Sequence, residues 1–296
     1  MDDRRRRQET RRHWHDDPGP SDWSLIFDTE TTLDPGQGLR VGAYQLRSRK
    51  RLREEGLFYE PTALTGQELQ LLRRFAETEG LVLHTRDEFA QDVFLRAAWD
   101  RRGLIIGHNL PFDLSRISIA NAPAQSQDKS MRGGFTLTLS RDPKRSHIQV
   151  KRINAGSAFI RLTIPSGVNP EKRNQTRGGR TANHHGYFLD TATIGGALLA
   201  MRPSLKRLAE ILKTPTQKGD EDHGEQLTAA YLTYLRTDVQ VTWECSIALR
   251  ERYAAYGLPK RAWQIHSEAG IGKAHLEKIG LTPFRQLNAW PDQVLV

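Results

Sequence analysis

Short apolar runs separated by polar stretches divide the chain into alternating strands and helices. Continuous apolar runs predict buried strands, and apolar residues that recur every three or four positions predict helices. The predicted strands are Ser24–Asp28, Leu39–Leu46, Leu57–Tyr59, Leu104–Ile106 and Tyr187–Asp190, with basic Arg47–Arg53 as a turn. The predicted helices are Gln67–Glu79, Glu88–Arg101, one beginning near Leu110, Ser204–Leu212 and one from about Glu225 to Ala255. This order is typical of an α/β fold.

A basic segment between Ser126 and His185 interrupts the alternation. Within it, Phe135–Leu139, His147–Ile153 and Ala158–Ile164 alternate apolar and polar residues, which predicts a small antiparallel unit. The segment holds twelve Lys and Arg against three acids, a charge equal to the +9 of the whole chain. Its strands either line a groove for a phosphate backbone or form a charged exterior face. Asn169–His185, rich in Gly, Arg and Asn, is expected to be a mobile loop.

Composition and charge narrow the class of protein. The 296 residues are 37% hydrophobic, which suits a globular chain, and no apolar run approaches the ~20 residues of a membrane span. The amino terminus has no apolar segment of the secretory kind, and Cys245 is the only cysteine, which excludes an internal disulfide and a cysteine zinc cluster. We expect a cytoplasmic protein, not associated with a membrane, whose basic charge favours nucleic acid as its partner. Residues 1–20 are expected to form a disordered arm.

Two acids at the end of the first strand are the first candidate for chemistry. Asp28 and Glu30 are separated by one residue, so on an extended strand their side chains point to the same face. Like charges on one face repel, and a divalent cation such as Mg²⁺ between them relieves the repulsion. The alternative is a strand end with two solvated acids.

Two further stretches supply acids at positions suited to the same site. Asn109 and Asp113 follow the strand Leu104–Ile106, at the edge of an α/β sheet where ligands bind. On the last long helix, Tyr234 and Asp238 are four residues apart and therefore lie on one face.

The motifs FDTETT, HNLPFD and YLRTD, in this order, resemble those of the DnaQ-like 3′-to-5′ exonucleases of the DEDD superfamily, tyrosine subtype. The similarity is greatest to the proofreading domain of family B DNA polymerases of the protein-primed bacteriophage kind, and it covers Trp23 to Leu258. It implies an RNase H-like (DnaQ-like) mixed five-stranded sheet flanked by helices, with the basic β-rich segment inserted. It also implies an exonuclease that removes nucleotides from single-stranded DNA 3′ ends in replication or repair.

The resemblance assigns roles to individual residues. Asp28, Glu30, Asp113 and Asp238 would bind two Mg²⁺ or Mn²⁺ ions about 3.5–4 Å apart, and Tyr234 would orient the attacking water. The histidine subtype is excluded, because Thr233 stands where that subtype has its histidine. The residues that would contact substrate are Thr29, Asn109, Phe112, Thr191 and Lys218.

Two departures from the family pattern weaken the last two substrate assignments. Ala192 replaces a usual Leu after Thr191, and Glu221 replaces an apolar residue after Lys218. Asp190 is interpreted as structural.

The resemblance divides the chain and leaves alternatives open. It predicts an exonuclease domain over 21–258 that contains the insert 126–185, and a helical segment over 259–296 similar to an exonuclease–polymerase junction. The chain is then a free-standing exonuclease, the amino-terminal proofreading part of a longer family B polymerase, or a module working with a separate polymerase. A non-catalytic nucleic-acid-binding module on the same fold is a further alternative. DNA is favoured over RNA only by the resemblance.

Overall fold

The computed structural model describes residues 18–124, 131–154, 156–163, 184–217 and 226–281. The predicted amino-terminal arm is therefore largely outside the described residues, as are Lys218 and almost all of the loop 169–185. Among the helices of the described ranges, none combines the length and the apolar character that a bilayer crossing requires.

Strands and helices alternate along the described chain. The strands are Trp23–Thr31 (β1), Leu39–Ser48 (β2), Arg51–Tyr59 (β3), Val82–Thr85 (β4), Leu104–Gly107 (β5), Ala120–Pro123 (β6), Phe135–Thr138 (β7), Ile148–Asn154 (β8), Ser157–Leu162 (β9) and Tyr187–Asp190 (β10). The helices are Gly66–Glu79 (α1), Arg86–Glu88 continuing as the π-helical Phe89–Asp100 (α2), Leu110–Arg116 (α3), Thr191–Leu199 (α4), Leu205–Leu212 (α5), Ala229–Ala254 (α6) and Glu268–Lys278 (α7).

A mixed sheet of six strands forms the centre of the described fold, in the order β10-β5-β1-β2-β3-β4. β5 is parallel to both β1 and β10, whereas β2 is antiparallel to β1 and β3. The carboxyl ends of β1, β5 and β10 therefore meet at one edge of the sheet. The prediction of five strands was wrong by one, because the short Val82–Thr85 pairs parallel to the end of β3 and extends the sheet.

Both faces of the sheet are buried, as the apolar run in β1 requires. Ile26 belongs to a cluster with the apolar residues of α6, including Leu235 and Val239. Leu25 and Phe27 point the other way, into a cluster with α2 and the second sheet. The two faces of β1 are therefore distinct, and every second residue belongs to the face covered by α6.

The basic stretch Arg47–Arg53, predicted to be a turn, is mostly strand. β2 and β3 continue through it, and only Arg49 and Lys50, both with positive φ, form the turn. Arg47 is buried because its guanidinium donates to Gln45 and Gln240 and lies over the ring of Trp243. Partners on α6 therefore stabilise a charge that the sequence alone places in a loop.

The insert contributes a second, antiparallel sheet in the order β6-β7-β8-β9. Its three predicted strands are confirmed, and β6 adds a fourth strand that comes from before the insert. One face of this sheet packs against α2 in a shared apolar cluster, to which it contributes Ile148, Val150 and Leu162.

Candidate active site

Asp28 and Glu30 lie on the face of β1 that α6 covers. They have the same parity as Ile26, whose side chain packs against α6, and the pairing with β2 stays regular as far as Glu30. The register shifts between Glu30 and Thr31, so the strand becomes irregular directly after the two acids. Asp28 and Glu30 therefore belong to the same face of a regular strand.

The facing helix α6 presents three polar side chains to this region. Tyr231, Tyr234 and Asp238 lie at positions i, i+3 and i+7 of α6, so they share one face, and all three are buried. Thr228 caps the helix by accepting a hydrogen bond from the Tyr231 N–H, which fixes where this face begins. The predicted residues Tyr234 and Asp238 are therefore on the helix that packs on β1.

Tyr231 is the site residue that sequence reasoning missed. Burial raises the pKa of its hydroxyl well above the usual range, and the charge of Glu30, a hydrogen bond to Glu30 and the charge of Asp28 act in the same direction. Its hydroxyl therefore hydrogen-bonds Glu30 and lies within electrostatic range of Asp28. The i, i+3 spacing of the two tyrosines is the sequence signal that would have included Tyr231.

Asp113 lies against the carboxyl-terminal part of β1, where it contacts Thr29, the residue between the two strand acids. The Thr29 hydroxyl donates a 2.7 Å hydrogen bond to Asp113 Oδ1, and the Thr29 backbone N–H also donates to this carboxyl. Burial raises the pKa of the Asp113 carboxyl to about 8, and the charge of Asp190 acts in the same direction, whereas the Thr29 hydrogen bonds lower it. A cation beside Asp113 would favour the ionised form.

The side chains of the four predicted acids do not converge on one point. Within the described ranges, no three His, Cys, Asp or Glu side chains lie close enough together to hold a metal ion. As donors, the carboxylates nevertheless suit a hard divalent cation. Asp113 is connected to the strand acids through Thr29, the residue that separates Asp28 from Glu30 in the sequence.

Asp190 connects the loop before α3 to α4, in keeping with the structural role expected for it. Its Oδ1 accepts from the backbone N–H of Asn109 at 2.7 Å and also caps α4 through the Ala192 N–H. Its Oδ2 accepts from the Thr193 hydroxyl at 2.6 Å. Through Asn109, which has a left-handed backbone with φ of 66°, this carboxylate holds the loop that leads into Asp113.

The predicted substrate residues differ in how accessible they are. Asn109 is exposed, and Phe112 is half-buried with the Arg116 guanidinium 4.5 Å from its ring centre. Thr191 is fully buried, and its hydroxyl donates to the Gly107 carbonyl and lies 3.0 Å from His108 Nδ1. This placement suits a residue that positions His108 better than one that touches substrate. Thr29 is buried, and both its donors serve Asp113.

A cleft of about 480 Å³ opens at the same edge of the sheet, beside α3. Thr32, Glu60, Arg86 and Arg116 are among the side chains that line it. This volume is in the range of clefts that take small ligands. Arg86 pairs with Glu60 at 2.9 Å, and Arg116 hydrogen-bonds the Gly36 and Gln37 carbonyls of the loop after β1.

No protein-family model matches the chain, and no curated protein matches it. Among solved structures, it is similar to phi29 DNA polymerase complexed with single-stranded DNA, at 12% identity and a TM-score of 0.38. The match covers 87% of this chain and 35% of that polymerase chain, so the chain spans about a third of its length. A likeness at this level assigns neither family nor function.

Proposed function

We propose that this chain is a metal-dependent 3′-to-5′ exonuclease of the DEDD type with an RNase H-like fold, acting on single-stranded DNA ends. The observation that supports this most is the placement of the acids. The β1 face that carries Asp28 and Glu30 is covered by the helix that carries Tyr234 and Asp238, and Asp113 is bonded to Thr29 between the two strand acids.

The proposed roles follow from the side chains. Asp28, Glu30, Asp113 and Asp238 would hold Mg²⁺ or Mn²⁺, and such ions would activate water and stabilise the leaving oxygen. Tyr234 would orient the water, and Thr29 keeps the Asp113 carboxyl at the end of β1. Tyr231 holds Glu30 from the side of α6. Asn109 and Phe112, at the entrance to α3, would contact the terminal nucleotide.

The hydrolysis of a 3′-labelled single strand in the presence of Mg²⁺ tests this proposal. Wild type should release the terminal label, and Asp28→Ala and Asp238→Ala should abolish the release. Asp92→Ala, which changes an exposed acid on α2, is the matched control and should keep full activity. Equal release by wild type and both site variants would refute the enzymatic role.

A second candidate is a nucleic-acid-binding module that performs no hydrolysis. It is favoured by the absence, in the described part of the chain, of three ligating side chains already grouped for a metal. In the same assay such a module would bind the strand and release no label. A polymerase acting with this chain, fused or separate, is compatible with either candidate.

A further inference from the structure

The outer face of the second sheet carries cations beside an exposed aromatic ring. Between residues 131 and 163 the sequence has seven Lys and Arg and a single acid, Asp142. Because Ile148 and Val150 pack into the core cluster, the alternate residues Gln149 and Lys151 of β8 lie on the other face, where Gln149 is covered and Lys151 is half-buried. Lys151 pairs with Phe159 of β9, and Gln149 pairs with Arg161 of β9.

These four residues form one continuous strip, called here the outer strip: Gln149, Lys151, Phe159 and Arg161. Side chains directly opposite each other on antiparallel strands are neighbours, so Lys151 lies beside the Phe159 ring. Arg161 Nε donates to Gln149 Oε1 at 2.9 Å, which holds that pair in place. The Phe159 ring is 40% exposed and has His266 at its side, with 4.6 Å between ring centres and the planes at 71°.

The strip is connected to the candidate active site through the turn between β8 and β9. The Thr193 hydroxyl lies 2.6 Å from Asp190 Oδ2 and 3.2 Å from the Gly156 carbonyl oxygen. Asp190 in turn holds Asn109, at the entrance to the helix of Asp113. Phe159 is three residues along β9 from Gly156, which is about 10 Å of strand.

A further cation lies at the same turn. A Cβ added to Gly156 would collide with the guanidinium of Arg202, so Arg202 packs directly against the turn. Arg152, near the end of β8 that leads into this turn, is also exposed. Positive charge therefore lies at the turn between β8 and β9 as well as on the outer strip.

We propose that the outer strip binds the single strand upstream of the nucleotide being removed, with a base stacked on Phe159 and phosphates on Lys151 and Arg161. Aromatic rings interleaved with cations are the common means of binding a single strand without sequence preference. This inference rests on the proposed function, because it names the part of the substrate that lies outside the active site. It gives a role to Lys151 and Arg161, which lie on a sheet that Thr193 connects to Asp190.

Binding of oligothymidylates by fluorescence anisotropy, with EDTA present so that no strand is cleaved, tests the strip. Wild type should bind a 12-nucleotide strand more tightly than a 4-nucleotide strand, because the longer one can occupy the outer strip and the edge of the sheet at the same time. Phe159→Ala should weaken binding of the 12-mer roughly tenfold, the usual effect of losing one stacking ring. Phe159→Trp should restore it, and Lys151→Gln should reduce the dependence on salt by about one phosphate contact.

Phe135→Ala is the matched control. Phe135 is on the same sheet and is 55% exposed, but it pairs with Val150 and therefore lies on the face opposite the outer strip. It should leave binding of the 12-mer unchanged. Equal losses in Phe159→Ala and Phe135→Ala, or equal binding of the two strand lengths by wild type, would overturn the inference. So would competition by a blunt duplex as effective as that by a single strand, which would indicate a general surface for polyanions.

A separate substrate distinguishes failure of this inference from failure of the proposed function. The p-nitrophenyl ester of thymidine 5′-monophosphate contains one nucleoside and reports on the active site alone. If Asp28→Ala hydrolyses it as well as wild type does in Mg²⁺, the exonuclease proposal fails, whereas binding of the 12-mer in EDTA still decides the role of Phe159.

Discussion

The Thr29 hydroxyl donates a 2.7 Å hydrogen bond to Asp113 Oδ1, joining β1 to α3 across 84 residues of sequence. Both partners are buried, and the bond lies where β1 has passed beyond its pairing with β5, which ends at Ile26. In this part of β1, Thr29 therefore uses both its hydroxyl and its backbone N–H to hold the Asp113 carboxyl.

Replacing Thr29 by Val should destabilise the protein and lower its nuclease activity. The change keeps the shape of the side chain but removes the hydroxyl donor to a buried carboxyl, and losing such a hydrogen bond typically costs about 1–3 kcal/mol. Chemical denaturation measures the free energy of unfolding, and Thr29→Ser, which keeps the hydroxyl, is the control. Equal stability of the Val and Ser variants would show that the hydrogen bond has no energetic role.

Asp113 should make the protein less stable as the pH rises from about 4 to 8. The pKa of its carboxyl is about 8 in the folded protein against an ordinary value of 3.8, so over this window the folded state keeps a proton that the unfolded chain has lost. Because the folded state binds more protons, raising the pH lowers the free energy of unfolding. Asp113→Asn removes this contribution.

Thermal unfolding between pH 4 and 8, with EDTA present, measures the effect. The melting temperature of Asp113→Asn should fall less with pH than that of wild type. Identical slopes for the two proteins would mean that the Asp113 carboxyl ionises normally in the folded state.

Tyr231→Phe should weaken the affinity of the site for Mg²⁺. The change removes the hydrogen bond that holds Glu30, and hydrogen bonds to charged groups contribute about 1.5–3 kcal/mol, so the half-saturating Mg²⁺ concentration should rise about tenfold. Activity against Mg²⁺ concentration measures it. Tyr256→Phe, at a partly exposed tyrosine that contacts His275, is the control and should behave as wild type. Indistinguishable curves for the two variants would remove Tyr231 from the site.

Much of the fold could be predicted because local patterns agree with the tertiary structure. The apolar run of β1, the helix cap at Ser204 and the alternation in β8 and β9 each depend on residues close in sequence. The opposite faces of Asp28 and Thr29 also follow from the strand period alone. These features needed no knowledge of distant partners.

The features that sequence did not reveal depend on distant partners. Val82–Thr85 is a strand because β3 offers a free edge, and four residues carry too weak a pattern to show this. Arg47 lies in a buried strand because two residues of α6 stabilise its guanidinium: Gln240 accepts a hydrogen bond from it, and the Trp243 ring packs against it. Tyr231 contacts Glu30 because of the rotation of α6 about its axis, which packing against β1 determines.

Binding of Mn²⁺, measured by calorimetry in wild type and in Asp28→Ala, Asp113→Asn and Asp238→Asn, tests most directly whether the four acids form one site. If they share two ions, wild type should bind two Mn²⁺, and each substitution should weaken at least one of them more than tenfold. If Asp113→Asn or Asp238→Asn binds Mn²⁺ as wild type does, the proposed site is contradicted.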